Sequence, residues 1–286
     1  MSQEYAIHNE LLDKLMCLSC SASSFTVKNN LLICEACGES ITFESHIPNF
    51  ITPEELRQIH FTWVDPRAYE ERIGSITERL ARIDKPILQY VTGDTLEIGS
   101  GTCRLMEPVE KKGSTYYGID HALPLLAYAH TQRHASRIVC GKGERMPFRA
   151  NAFDTIISSY LAFREVDPER GLPEARRVLK KGGIFVFHTL NHWIHMVIDF
   201  KKLLFSGHVR RMKQFQWKPS SNHFEFTRRT VIKHMANKAG FQVEHILSAP
   251  IMPVFSRFDK CLQTVYFHGK KAIYCGYECI IALKAV

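Results

Sequence analysis

The chain has 286 residues, of which 45% are hydrophobic and 23% charged, and this composition excludes a disordered, collagen-like or coiled-coil protein. Its formal net charge of +8 would suit an anionic partner such as a nucleic acid or a lipid headgroup. The charge is uneven, however, because residues 1–60 carry a net −5 and residues 189–250 a net +7. Most of the excess positive charge therefore lies in residues 189–250.

No basic segment followed by an apolar stretch opens the sequence, and no apolar run approaches the roughly 20 residues that a membrane span requires. We therefore expect a soluble, cytoplasmic protein. The nine cysteines are an odd number for a disulfide framework. In a reducing compartment, the four that form two close pairs indicate a metal site.

The two cysteine pairs are Cys17 with Cys20 and Cys34 with Cys37, and 13 residues separate them. Each pair can turn two thiolates toward one point, and together they supply the four soft ligands of a tetrahedral zinc ion. Gly38 permits the tight turn that such a pair needs. No histidine or carboxylate stands at ligand spacing, so we expect a closed, structural site. A redox-active pair, unligated core cysteines and an iron–sulfur centre are the alternatives.

The segments 11–20, 31–34 and 47–51 resemble the Trm112-like zinc-ribbon family over about 40 residues. The chain departs from that family at Leu18, where a proline is usual, and at residues 41–43, where the family has Tyr-Pro-Ile. Ribbons of this kind accompany methyltransferases. The resemblance therefore implies a ribbon module over residues 1–51, placed ahead of an enzyme domain.

A helical connector is predicted over residues 52–93. Thr52 and Asp65 are capping residues, each followed by a proline, so a helix is expected to start after each of them. From residue 94 to residue 286, short β-branched runs alternate with amphipathic stretches. The predicted strands are residues 95–98, 115–119, 137–140, 155–158, 184–190, 242–248 and 274–283. This alternation predicts an α/β fold with a doubly wound, Rossmann-like sheet of about seven strands.

A glycine-containing loop follows the first of these strands. Gly99 and Gly101 let the backbone approach a ligand closely, but Arg104 stands where a dinucleotide fingerprint needs a third glycine. Glu97 would also sit close to an anionic pyrophosphate, whereas the sulfonium and ammonium groups of S-adenosylmethionine tolerate a carboxylate. Asp120 ends the second strand, 19 residues after Gly101, where it can accept both ribose hydroxyls. The alternative for Asp120 is a helix cap.

With the further motifs at 141–148, 151–154 and 178–183, residues 94–190 resemble the class I S-adenosylmethionine-dependent methyltransferases of the small-molecule, quinone-methylating branch. The resemblance implies a set of cofactor-binding residues: Glu97, Gly99, Gly101, Asp120, Gly143, Glu144, Arg145 and Ser159. Two departures stand out. Lys142 occupies the place where an aspartate commonly takes the adenine amino group, and Cys103 replaces a glycine. Because lysine cannot accept a hydrogen bond, adenine recognition falls to the backbone around Gly143 or to Glu144.

Methyl transfer mainly requires positioning of the acceptor and, where needed, removal of its proton. The segment after the fourth strand lacks the Pro-Pro-Tyr motif of amino-methylating enzymes and the Pro-Cys nucleophile of cytosine-C5 chemistry. Candidate catalytic groups lie where strands of the sheet end. They are Tyr160, Glu165, His188 and His192, with Arg164 beside them. The alternative interpretation of His188 is an ordinary core or surface histidine. The alternative interpretation of Arg164 and Glu165 is a solvated ion pair.

An insertion at residues 193–227 combines cations with aromatic residues, and the resemblance implies a lid over the acceptor. A basic lid would suit an anionic or membrane-associated small molecule, although an ordinary helical lid with solvated cations is the alternative. A ribosomal RNA (guanine) methyltransferase is the second functional hypothesis. The acidic ribbon opposes it, because four thiolates on zinc add a further −2. The third hypothesis is a degenerate, non-catalytic scaffold, which Lys142 and Cys103 would mark.

Overall fold

A computed structural model describes the backbone of residues 7–58, 65–160, 162–190, 229–249, 267–268 and 278–286. The predicted lid at 193–227 lies outside these residues. The described helices are α1 (Asn9–Leu12), α2 (Pro53–Gln58), α3 (Pro66–Gly74), α4 (Thr77–Leu88), α5 (Met106–Glu110), α6 (Leu123–Arg133), α7 (Pro168–Val178) and α8 (Arg229–Lys238). Among the described residues, no helix is long and apolar enough to cross a bilayer.

The strands join into one sheet with the order β1-β2-β3-β4-β7-β6-β5-β8-β9-β12-β10-β11. Their bounds are β1 (Phe25–Lys28), β2 (Leu31–Cys34), β3 (Ser40–Glu44), β4 (Ile47–Asn49), β5 (Asp94–Ile98), β6 (Thr115–Asp120), β7 (Ile138–Cys140), β8 (Phe153–Ser158), β9 (Leu179–Leu190), β10 (Phe241–Ala249), β11 (Phe267–His268) and β12 (Glu278–Ala285). Strands β5 to β9 run parallel, and β12 lies antiparallel between β9 and β10. The doubly wound α/β prediction is confirmed.

The central strands are apolar because both faces of the sheet are covered. In β5 and β6 all residues but the first are buried, as expected of parallel strands that lie between two layers of helices. The carboxyl ends of β5 to β9 meet at one edge of the sheet, which we call the C-terminal edge. Open α/β sheets bind ligands at this edge.

The connector helices begin where the capping residues predict. The Thr52 amide donates to Glu55 Oε2 at 3.0 Å, and the Glu55 amide donates to Thr52 Oγ1 at 3.2 Å. This reciprocal pair is a capping box, and it starts α2. Asp65 caps α3 by accepting the Arg67 amide at 2.9 Å.

The ribbon strands β1 to β4 extend the sheet formed by the strands of residues 94–286. Asn49 of β4 pairs in parallel with Cys140 of β7, and the Phe50 amide donates to the Cys140 carbonyl at 2.8 Å. Ribbon residues Leu11 and Leu32 belong to the same buried cluster as Phe148 of the larger domain. The ribbon thus shares a hydrophobic core with the domain that follows it.

Candidate functional site

The four predicted zinc ligands come together in the ribbon. The Sγ atoms of Cys17, Cys20, Cys34 and Cys37 all lie within 4.8 Å of one another. Cys17 lies 3.7 Å from Cys37, and Cys20 lies 3.6 Å from Cys34, measured between sulfurs. Zinc–sulfur bonds of about 2.3 Å place the corners of a tetrahedron about 3.8 Å apart. The thiol cluster therefore has the dimensions of a tetrahedral zinc site.

Backbone hydrogen bonds build each cysteine pair into a turn. The Ser21 amide donates to the Cys17 carbonyl and the Gly38 amide to the Cys34 carbonyl, both at 2.9 Å. Burial raises the pKa of the Cys34 thiol, but hydrogen bonds from the amides of Cys37 and Ala36 and with the thiols of Cys20 and Cys37 together bring that pKa down to about 7. Cys17 and Cys34 are buried whereas Cys20 and Cys37 are exposed, so the site sits at the ribbon surface.

The glycine loop lies at the end of β5, where sequence reasoning expects the cofactor. Gly99 and Gly101 have φ angles of +72° and +51°, in the left-handed region that glycine tolerates without strain. A Cβ at Gly99 would overlap the Cβ of Ala162. A Cβ at Gly101 would lie 3.2 Å from the hydroxyl oxygen of Tyr69, a residue of α3 that sequence reasoning missed. Close packing requires glycine at position 99, and at position 101 a side chain would press against Tyr69.

Asp120, at the end of β6, faces this loop. Its Oδ2 accepts the Gly101 amide at 2.7 Å, and its Oδ1 accepts the Ala122 amide at 2.8 Å, just before α6. The carboxylate therefore makes the helix-start contact and also touches the glycine loop. Each carboxylate oxygen offers a further lone pair, so these two bonds leave room for a ribose hydroxyl.

Glu97 is buried beneath the same loop, with 3% of its surface exposed. The Tyr116 hydroxyl donates to its Oε2 at 2.6 Å. Burial raises the pKa of Glu97 to about 8, although the Tyr116 hydrogen bond and the Arg104 charge oppose that rise. At neutral pH the carboxyl group is therefore mostly protonated, and a nearby cation would favour its ionised form.

Arg104 and Ser159 belong to a buried polar network that includes Asp84 of α4. The Arg104 guanidinium pairs with both carboxylate oxygens of Asp84 and donates to Ser159 Oγ at 2.9 Å. The Ser159 hydroxyl donates to Asp84 Oδ1 at 2.7 Å. The network joins the glycine loop, the end of β8 and the connector. The predicted cofactor role of Ser159 stays a prediction.

The predicted adenine-side residues lie in one turn after β7, closed by a bridge between Lys142 and Arg145. Glu144 Oε1 accepts the Asp167 amide at 3.0 Å, just before α7. The residue that sequence reasoning missed here is Glu55 of α2. Its Oε1 lies 3.2 Å from Arg145 Nη2 and 3.7 Å from Lys142 Nζ. A carboxylate thus faces the position where an acidic residue is usual in the resembled family.

Gly143, in the same turn, is closely packed. A Cβ there would lie 2.8 Å from Val166 Cγ2 and 3.2 Å from Ile98 Cγ2. Because Ile98 ends β5 and Val166 precedes α7, Gly143 brings the turn against the rest of the C-terminal edge.

Two of the predicted catalytic residues are described with their side chains. Tyr160, just after β8, has a φ of +48°, which is uncommon for a residue with a side chain. His188, in β9, is fully buried; burial, with the charges of Arg79 and Arg104, lowers its pKa to about 3. Glu165 and Arg164 lie in a 3-10 turn after β8, and the structure does not describe their side chains. His192 lies wholly outside the described residues.

Comparisons with known proteins find similarity to methyltransferases. Residues 96–187 match the family model described as "Methyltransferase domain". The chain is 27% identical over 148 residues to a demethylmenaquinone methyltransferase of Paenarthrobacter aurescens, covering 51% of this chain and 57% of that protein. It is 43% identical over 61 residues to a malonyl-acyl-carrier-protein O-methyltransferase of Herminiimonas arsenicoxydans, covering 21% and 23%. The matches span about half, or less, of these curated relatives' length.

Two solved structures share the fold. A SAM-dependent methyltransferase of Thermotoga maritima has a TM-score of 0.52 at 21% identity, covering 77% of this chain and 95% of that one. A chain of the complex between the Haloferax volcanii Trm112 methyltransferase activator and a methyltransferase has a TM-score of 0.55 at 15% identity, covering 79% and 99%. With the glycine loop and Asp120, the family match over residues 96–187, the methyltransferase relatives and the shared fold support a class I S-adenosylmethionine-dependent methyltransferase domain after the ribbon.

Proposed function

We propose that the protein transfers the methyl group of S-adenosylmethionine to a small-molecule acceptor, and that its four-cysteine ribbon holds a structural zinc ion. The main support is the C-terminal edge, where two glycines with left-handed φ angles form a loop whose Gly101 amide donates to Asp120. The relatives are named as methyltransferases of demethylmenaquinone and of malonyl-acyl carrier protein, which supports an acceptor other than a nucleic acid. Free thiols at ligand spacing suit a reducing compartment, so we also propose a cytoplasmic location.

The residues at this edge fit the proposed cofactor by their charge. Asp120 and Glu97 are both buried, and a bound cation would favour the ionised form of Glu97, so the pair opposes a pyrophosphate and suits a ligand with a sulfonium and an ammonium group. When bound, the cofactor supplies an activated methyl group. Asp120 would hold the ribose hydroxyls, Glu97 would lie beneath the cationic end, and the turn at 142–145 would flank the adenine. Glu55 and backbone groups, in place of Lys142, would accept the adenine amino group.

The acceptor side supports catalysis by positioning. With a pKa of about 3, His188 is neutral at physiological pH and is a weak base. It can orient an acceptor by a hydrogen bond, and it does not remove a proton from a weak acid. Tyr160 lies at the same edge in a strained conformation, as functional residues often do. We propose Tyr160, His188, Glu165 and His192 as acceptor-side residues.

Zinc would be held by the four thiolates and would close the ribbon turns. The ligand set in the described residues contains only sulfur, which is typical of structural rather than catalytic zinc. No open coordination position for a substrate is then expected. We expect one zinc ion per chain from metal analysis of the purified protein, and none after Cys34→Ser.

The function is tested first by calorimetric titration of the zinc-replete protein with S-adenosylhomocysteine. One binding site per chain is expected, and no heat would favour the non-catalytic scaffold. Transfer of a tritiated methyl group is then measured to demethylmenaquinol, to malonyl-acyl carrier protein and to ribosomal RNA. We expect label in a small-molecule or carrier-bound product. Label in RNA, with affinity that falls steeply with salt, would overturn the proposed acceptor class.

A further inference from the structure

We propose that the zinc ribbon is a positioning element for the cofactor loop, so that metal occupancy of the four cysteines sets the affinity for the cofactor. The loop concerned is residues 141–149, which carries the turn predicted to flank adenine. The inference rests on the proposed function for its cofactor. It goes beyond that function, because it gives the ribbon a role in binding within the same chain.

The ribbon holds the loop by a short antiparallel ladder. Leu15 and Phe148 form an isolated bridge, and both side chains are completely buried. The Met16 amide donates to the Pro147 carbonyl at 3.0 Å, and the Arg149 amide donates to the Lys14 carbonyl at 2.8 Å. Cys17 follows Met16 directly. The first metal ligand is therefore adjacent in sequence to the residues that hold the loop.

The other side of the loop is held by α7. Glu174 Oε1 accepts the Met146 amide at 2.7 Å. The Arg177 guanidinium donates to the carbonyls of Phe148 at 2.6 Å and of Met146 at 2.9 Å, and it pairs with Glu174. Helix α7 and the ribbon therefore both hydrogen-bond to the loop. Of the two, only the ribbon carries the cluster of proposed metal ligands found in the described residues.

The ribbon is small, and its strands have 4, 4, 5 and 3 residues. The core that the ribbon shares with the following domain fixes its strands, whereas a module of this size adds little apolar burial of its own to fix the cysteine turns. Metal binding energy is then folding energy for the ribbon turns. Loss of zinc should release the ladder at Lys14 and Met16. A cofactor that has to order a released loop binds more weakly, because ordering costs entropy.

The test compares two variants by two measurements. Cys37→Ser removes an exposed metal ligand. Leu15→Ala keeps all four ligands and weakens the contact with Phe148. Leu283→Ala is the matched control, since Leu283 is 1% exposed and lies in β12, on the other side of the catalytic strands. The measurements are zinc content with the dissociation constant for S-adenosylhomocysteine, and hydrogen–deuterium exchange of the loop amides.

For both Cys37→Ser and Leu15→Ala we expect affinity to fall at least about tenfold. Exchange at residues 146–149 should become faster, while exchange in β12 stays slow. Leu15→Ala should retain zinc, and Leu283→Ala should bind within about threefold of wild type. If Cys37→Ser does not fold, removal of zinc from the wild type by a chelator tests the metal dependence, and Leu15→Ala tests the ladder. Unchanged affinity and exchange in a variant that folds would overturn the inference and leave the proposed function standing. Zinc-dependent loop exchange without any cofactor binding by the wild type would refute the proposed function instead.

Discussion

The proposed cofactor half of the C-terminal edge, at the ends of β5 and β6, is built differently from the proposed acceptor half, at the ends of β8 and β9. At the ends of β5 and β6, two carboxyl groups are held in place, Asp120 by backbone amides and Glu97 by the Tyr116 hydroxyl. At the ends of β8 and β9, the described candidates for the acceptor side are a neutral, buried His188 and a strained Tyr160. We infer that ionisable carboxyl groups would serve the proposed cofactor, whereas shape and neutral hydrogen bonds would serve the proposed acceptor.

The largest effect is expected from Gly99→Ala, which would disrupt the cofactor half. The new Cβ would overlap Ala162 in addition to adopting a φ of +72°, so we expect a loss of about 3 kcal/mol of unfolding free energy. Gly113→Ala is the matched control, because Gly113 has a φ of +78° with nothing within 4 Å of an added Cβ. It should cost about 1–2 kcal/mol. Urea unfolding measures both, and equal losses would contradict the packing role of Gly99.

Asp120→Asn should be the next largest effect. The change removes a charged acceptor from the predicted ribose site, so affinity for S-adenosylhomocysteine should fall about 100-fold, or about 2.7 kcal/mol. Asp154→Asn is the control, since Asp154 lies on β8 near its amino end and pairs with Lys180. Calorimetry that finds similar affinities for the two variants would remove Asp120 from the cofactor site.

Glu97 predicts a pH dependence for the cofactor half. Its pKa of about 8 means that the carboxyl group is mostly protonated below pH 8, whereas a bound cation favours the carboxylate. Binding of S-adenosylmethionine should therefore release up to about one proton below pH 8, and affinity should rise with pH until about 8. Calorimetry in phosphate and in Tris buffers measures the proton release. Glu97→Gln should abolish it, and its persistence in that variant would assign the proton to another group.

Glu55→Gln should have a smaller effect, because Glu55 is partly exposed and its pairs with Arg145 and Lys142 are screened by water. We expect a loss of affinity of about fivefold, from a weaker acceptor at the adenine side. Glu54→Gln, on the same helix turn, is the control. A reduced affinity for adenosine alone would localise the effect to the nucleoside, whereas unchanged affinity would exclude Glu55 from adenine recognition.

The smallest effect concerns the acceptor half. Because the pKa of His188 is about 3, its ring should not titrate between pH 5 and pH 8. Histidine chemical shifts in the cofactor-free protein measure this directly, with His188→Gln providing the assignment. A titration near pH 6.5 would show that the ring becomes charged and would make His188 a candidate general base.

Local patterns predict the ribbon and the glycine loop well, and long-range contacts explain what they miss. The cysteine spacing, the Thr52 capping box and the loop at Gly99 each depend on residues that are close in sequence. Glu55 pairs with Arg145, which is 90 residues away in sequence. Arg104, Asp84 and Ser159 contact one another although they lie in three different parts of the chain. No periodicity or motif relates such pairs, so the sequence alone indicates no role for Arg104 beyond excluding a dinucleotide site.

The domain boundaries illustrate the same limit. The sequence predicts where the ribbon, the connector and the catalytic domain begin along the chain. It does not predict that β4 joins β7 through the pair of Asn49 with Cys140, nor that Leu15 meets Phe148. These contacts are set by the docking of two folded parts, and short edge strands carry little information about their partner.

The most direct test of the central claim is a crystal structure of the zinc-replete protein with S-adenosylhomocysteine. We predict that both ribose hydroxyls donate to Asp120 and that the adenine lies against the turn at residues 142–145. The homocysteine end should lie over the glycine loop above Glu97. Ligand density away from Asp120, or none at a concentration that saturates related enzymes, would contradict the account.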